Sequence, residues 1–301
     1  MATFSKTGFK TINYNSFRPR YPPSFYEILS NYSGNKIGNS LDIGCGTGIA
    51  TYDLLNISDN VEGVDLSPSM IKTCNDLIKE RCESLGISDF KRISFNVGDL
   101  DNLDTLTEGK YDLIVGAQCL HWSKNFDQLF KKIYKLLKPN GVFAYWYYVD
   151  PIVTNASGKN DLQTLEKAKQ IYFKYMYDDE NLVGPHWEQP GRSIIKNYYK
   201  EIDDKIPSMF KDVKINNYEV DLKNFKKPTE GEDLVLVKEN INIDQLFNYV
   251  STYSGLHNYL EANPESKVIE DYANELKSET GWTEDTSIDL VWNTGYTLVR
   301  K

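Results

Sequence analysis

A chain of 301 residues has room for one large α/β domain with additions, or for two small domains. Apolar residues make up 40% and charged residues 26%, and 34 Lys and Arg against 43 Asp and Glu leave a net charge of −9. That acidity argues against nucleic acid as a partner, and no run approaches the roughly 20 apolar residues of a membrane span.

The N-terminal "MATFSKTGFKTINYNS" lacks the apolar core of a secretory signal. "SLDIG" (Ser40–Gly44) predicts a first buried strand, with a short helix expected over 49–56. "VEGVD" (Val61–Asp65) is the second strand. Pro68 then opens a helix at its first turn. "RISFNVGD" (Arg92–Asp99) and "YDLIVGAQ" (Tyr111–Gln118) are the third and fourth strands. "FDQLFKKIYKLLKPNG" has helical spacing and stops at Pro139-Asn140-Gly141, and "VFAYWYYV" (Val142–Val149) is the fifth strand. Largely apolar strands alternating with helices predict an α/β fold with helices on both faces of a parallel sheet. Beyond residue 150 the pattern is less regular. "VKINNYEVDL" (Val213–Leu222) alternates as a strand, Ile243–Leu260 and "SKVIEDYANELK" read as helices, and "SIDLVWNTGYTLVRK" (Ser287–Lys301) reads as a closing strand.

Cys45, Cys74, Cys82 and Cys119 show no paired spacing. With no signal they are expected to be reduced thiols of a cytoplasmic protein. None of the three histidines stands at ligand spacing to a cysteine pair, so no metal site is expected.

"LDIGCGTG" carries the most chemistry. Gly44, Gly46 and Gly48 let the backbone turn tightly against a ligand after a strand, and the start of a following helix would offer N–H groups to an anionic part of it. Asp65 ends the second strand, where an acid accepts hydrogen bonds from ribose hydroxyls. Asp99 and Leu100 end the third, suited to the amine and edge of an adenine. All lie along one rim of the sheet, where open α/β folds bind ligands.

In order and spacing, "LDIGCGTG", Asp65, "VGDLDNL", "YDLIVGAQCLHW" and "LLKPNGVFAYW" resemble the motifs of class I S-adenosylmethionine-dependent methyltransferases, over about residues 38–149. The resemblance implies a Rossmann-like, seven-stranded, mostly parallel sheet whose last strand is antiparallel, with a helical and aromatic cap. It implies S-adenosyl-L-methionine as cofactor, with Asp42 and the Gly44–Gly48 turn around its methionine part, Asp65 at the ribose, Asp99 and Leu100 at the adenine, and Gln118 near the sulfonium. "YNSFRPRYP" looks like the Y-x3-RPxYP pattern of one branch, implying that Tyr14, Arg18 and Tyr21 fold over the cofactor. The expected organisation is a single domain over 1–301: an N-terminal cap segment (1–37), a cofactor-binding core (38–149), a substrate cap insertion (150–210), and a C-terminal part (211–301) that completes the sheet.

The acceptor is read from the second half. A hydroxyl or amine acceptor needs a base, for which His121 in "QCLHW" is the candidate. A carboxylate acceptor is already ionised and needs cations and donors to hold it. "GPHWEQPGRS" supplies Arg192 as a two-point clamp, His186 and Trp187 as donors, and His257 stands in reserve on a later helix. This string, with "FRPRYP", "HW" and "VWNTGYTL", is similar to the fungal trans-aconitate methyltransferases, with the cantharidin-resistance methyltransferases as a sister group. The resemblance implies esterification of a carboxylate of trans-aconitate or another small di- or tricarboxylic acid. The alternatives are O- or N-methylation of another small molecule or lipid-like acid, and a non-catalytic cofactor-binding sensor. The expected partner is a small anionic substrate, with no nucleic acid and no membrane span.

Overall fold

The computed structural model describes residues 17–301. After helix α1 (Pro23–Ser33), strand β1 (Ile37–Ile43) lies between β2 (Ser58–Asp65) and β4 (Tyr111–Ala117), and β3 (Ile93–Val97) flanks β2, all parallel. β5 (Leu137–Ala156) joins β4 in parallel. The closing strand β8 (Ser287–Arg300) runs antiparallel between β5 and β6 (Lys211–Tyr218), giving the order β3-β2-β1-β4-β5-β8-β6. The expected parallel sheet with an antiparallel last strand is therefore present. An eighth strand that the alternation did not reveal, β7 (Val237–Asn242), adds to the Ser287–Val291 end of β8.

The helices form where caps and periodicity coincide. Ser67 caps α2 (Pro68–Ser84) by accepting from the Met70 N–H, with Pro68 at the first turn. Asn125 caps α3 (Phe126–Leu136) by accepting from Gln128 N–H. α3 buries Phe126, Leu129, Phe130, Ile133 and Leu136, one face of a 3.6-residue period against the sheet. β5 and β8 are buried along almost their whole length because layers cover both faces.

Three expectations change. The stretch after β1 forms turns and one 3-10 turn (Asp53–Asn56) rather than an α-helix, so its N–H groups come from turn backbone and not from a helix end. The boundary drawn at residue 149 falls inside β5, which continues to Ala156 because Pro151–Ala156 pair with Ile288–Trp292. The single helix expected over 243–260 is two, α7 (Ile243–Val250) and α8 (Ser254–Ala262). The cap is built from α4 (Leu162–Phe173), the short helices α5 (Gly191–Lys196) and α6 (Lys200–Asp203), α7, α8 and α9 (Val268–Thr280). Glu275 on α9 ties to Lys174 and Tyr175, so part of the C-terminal third packs with the cap. Among the described residues, no helix is long and apolar enough to cross a membrane.

Candidate active site

The rim where β1, β2, β3 and β4 end encloses a cavity of about 230 Å³. Gly44 and Gly46 floor it with φ of 66° and 56°, a left-handed conformation that glycine adopts without a Cβ penalty. A Cβ on Gly46 would enter open space, so a ligand can approach that backbone closely, whereas a Cβ on Gly44 would come within 2.6 Å of Cys119. Asp65 fixes the loop: its Oδ2 accepts from Gly46 N–H at 2.9 Å and its Oδ1 from Ser67 N–H at 2.8 Å. Burial raises the Asp65 carboxyl above its usual range, and those two N–H groups oppose the rise. Each oxygen keeps a lone pair for a further donor. Asp99, Leu100 and Tyr21 also line the cavity, Tyr21 resting edge-on against Trp146.

Two residues expected here stand behind the wall. Gly48 does not line the cavity; its φ of 80° and the Tyr52 ring, 2.7 Å from where its Cβ would be, make it a packing glycine. Asp42 is fully buried beneath the loop, with Oδ2 accepting from the Thr51 hydroxyl at 2.6 Å and Oδ1 lacking a partner among the described residues. Burial lifts its carboxyl to about 7, opposed by the Thr51 hydrogen bond. A folded-state value above the unfolded one contributes stability that is complete below about pH 4 and lost as pH rises through about 7. Asp42→Asn removes this loss: its Tm is expected to exceed that of the native chain at about pH 8 and to converge with it near pH 4, in thermal unfolding followed across that range. Tyr14 lies outside the described residues.

A second, smaller cavity of about 60 Å³ adjoins the first, sharing Gln118, Trp122 and Tyr148 with it. Gln118 stands at the junction with φ of 55°. Its side-chain amide pairs both ways with the Tyr148 backbone, donating to the carbonyl at 2.8 Å and accepting from the N–H at 3.0 Å. That pairing ties Gln118, just past the end of β4, to the middle of β5.

Arg18, expected over the cofactor, lines this second cavity instead. The preset extended backbone before Pro19 carries it there. Its guanidinium donates to the Tyr148 hydroxyl at 3.2 Å and to the Thr252 carbonyl at 3.0 Å, close to the Tyr249 and Tyr253 rings. Arg192 lines the cavity from α5, 9% exposed, with its charge 4.5 Å from the Trp187 ring and 4.7 Å from Tyr177. One of its terminal nitrogens pairs at 2.7 Å with Asp150, which also accepts from the Tyr172 and Tyr177 hydroxyls. The Arg192 Nε–H is buried with no hydrogen-bond partner among the described residues.

The remaining loop residues divide. Trp187 walls the cavity, but its indole N–H is committed to the Met176 carbonyl at 2.7 Å and cannot donate to a ligand. His186 rests edge-on against Tyr259 and lines neither cavity, because the 3-10 turn Gly184–His186 rotates it away; His257 on α8 lines neither cavity. His121 lines the second cavity almost fully buried, its Nδ1 2.7 Å from the Tyr199 hydroxyl. Burial and then the Arg192 charge push its pKa down to about 3, so it is neutral at physiological pH. Tyr148, Tyr249 and Tyr253 escaped the sequence reading because tyrosine is so frequent, 21 residues in all, that no single one stands out.

Residues 41–145 match the family model described as a methyltransferase domain. The Saccharomyces cerevisiae protein named "Probable S-adenosylmethionine-dependent methyltransferase CRG1" is 27% identical over 304 residues, covering 99% of this chain and 98% of that protein. Malonyl-acyl-carrier-protein O-methyltransferase 2 of Ilyobacter polytropus is 28% identical over 200 residues, covering 58% of this chain and 73% of that protein. Among solved structures, a chain from Anaeromyxobacter dehalogenans labelled a type II methyltransferase superposes with a TM-score of 0.65 at 19% identity, covering 95% of this chain and 98% of that one, and shares its fold.

Proposed function

We propose that this chain, an S-adenosylmethionine-dependent methyltransferase with a Rossmann-like fold, methylates a carboxylate of a small di- or tricarboxylic acid, trans-aconitate being the first acid to test. One observation carries the acceptor class: the buried, unpartnered Nε–H of Arg192 in the wall of a cavity that also holds Arg18 and adjoins the glycine-loop cavity. A buried donor left without a partner costs about 1–3 kcal/mol, and an anionic oxygen relieves that cost. The similarity to an enzyme named for O-methylation of a malonyl group, whose free oxygen acceptor is a carboxylate, points the same way.

The residues around the larger cavity suit the cofactor: an open backbone face at Gly46, and acceptor capacity at Asp65 and Asp99 on successive strand ends. When bound, it supplies a methyl group already activated by a sulfonium. An ionised carboxylate would accept that methyl group without giving up a proton, the sulfonium's charge being lost as it becomes a neutral thioether. The protein therefore has to align and desolvate. Gln118 stands where the two cavities meet, and Arg18 and Arg192 hold the acid. His121, neutral and held by Tyr199, acts as a pocket wall or donor rather than a base. The segment from residue 157 to 210 is the lid over the acid.

Radiolabelled S-adenosylmethionine with a panel of small acids tests the reading. The expected product is a methyl ester released as methanol by alkali, with kcat level between about pH 6 and 9. An alkali-stable product whose formation is lost in His121→Asn would overturn it in favour of base-assisted transfer to a hydroxyl or amine.

A further inference from the structure

A separate groove of about 770 Å³ shares Arg18 with the smaller cavity and Pro19 with the larger one. Among the described residues, its charged lining is five cations, Arg18, Arg20, Arg81, Lys227 and Lys238, against two acids, Glu230 and Glu239. In a chain of net charge −9 this is a local reversal of sign. Glu239 is paired with Lys227. Arg20 and Arg81 lie close enough to repel, with Asp53 acting on both; burial and then Arg81 weaken the hold of Arg20 on its proton. Lys238 is half-buried, reaching the Phe17 carbonyl at 3.4 Å, and burial lowers its pKa. Cations gathered in this way repel one another, and a multiply charged anion relieves that repulsion.

We propose that this groove is an anion antechamber that captures polycarboxylates and passes them by way of Arg18 to the smaller cavity. The identity of the captured class rests on the carboxylate reading of the active site. The physical need is plain: an acid bearing two or three negative charges is repelled by the overall field of this protein, and a cationic groove beside the site focuses it locally. Arg18 is common to both spaces, so an anion in the groove is already within reach of a group that holds it in the smaller cavity.

The test is calorimetric titration of citrate into the protein saturated with S-adenosylhomocysteine, at about 20 mM and about 150 mM salt. The native chain is expected to bind two citrates, the weaker one strongly salt-dependent. Arg81→Gln with Lys227→Gln is expected to keep only the site that Arg192→Ala removes. In turnover, the same double variant is expected to leave kcat unchanged and to lower kcat/KM for the acid roughly three- to tenfold at low salt, the difference vanishing at high salt. Unchanged citrate stoichiometry and salt dependence in the double variant would overturn the groove as an anion site. Citrate binding in the groove of a chain that methylates no acid would overturn the transfer role, and would be recognised as a failure of the carboxylate reading because Arg192→Ala would then leave citrate binding untouched.

Discussion

Arg192→Ala is expected to raise the KM for a polycarboxylate by about tenfold or more, with the Kd for S-adenosylhomocysteine near that of the native chain. A hydrogen bond to a charged group contributes roughly 1.5–3 kcal/mol, which converts to that range or above. The substitution has a second consequence, because it strands Asp150, only 2% exposed, without its cation. Removing one partner of a buried ion pair costs about 3–5 kcal/mol of stability. The double variant Asp150→Asn, Arg192→Gln keeps the pair neutral and hydrogen-bonded and separates the two effects. It is expected to recover most of the lost Tm while the KM for the acid stays raised. An unchanged KM in either variant would leave Arg192 as no more than the pin that shuts the lid.

Asp65→Ala is expected to weaken S-adenosylhomocysteine binding by roughly a hundredfold or more. The carboxylate has two roles at once, holding the Gly46 and Ser67 N–H groups and presenting lone pairs to the cavity. Charge-assisted hydrogen bonds of this kind are worth roughly 1.5–3 kcal/mol each, and losing the loop geometry with the ligand contact removes more than one. Asp65→Asn, which keeps one oxygen acceptor, should fall between the two. Calorimetry on the three chains decides the matter, and a Kd for Asp65→Ala within about threefold of native would remove Asp65 from the binding site.

The glycine-loop rim was legible because its determinants are local. A strand that ends in glycine, an acid at the end of the next strand and a helix opened by proline each leave a signature within a few residues, and β1 to β5 follow in the order their alternation predicts. Errors arose where contacts between distant segments took over. Pairing with β8 carries β5 to Ala156, past the apparent boundary. β7, with four of its six residues polar, has little strand signature and exists through its pairing with β8. Asp42 and Gly48 lie inside the glycine motif, yet face Thr51 and Tyr52 instead of the cavity.

By itself, then, the sequence determined the α/β class, the parallel run of the first five strands, and the glycine turn with an acid at the end of the next strand, because these depend on short-range periodicity and backbone freedom. The tertiary structure alone decided which cations meet. Arg18 and Arg192 are 174 residues apart, and the chain brings them to one cavity by folding the N-terminal segment and α5 onto the same face. It also decided the state of His121: burial beside Arg192 drives its pKa down to about 3. Proximity and desolvation are properties of packing, and no spacing along the chain encodes them.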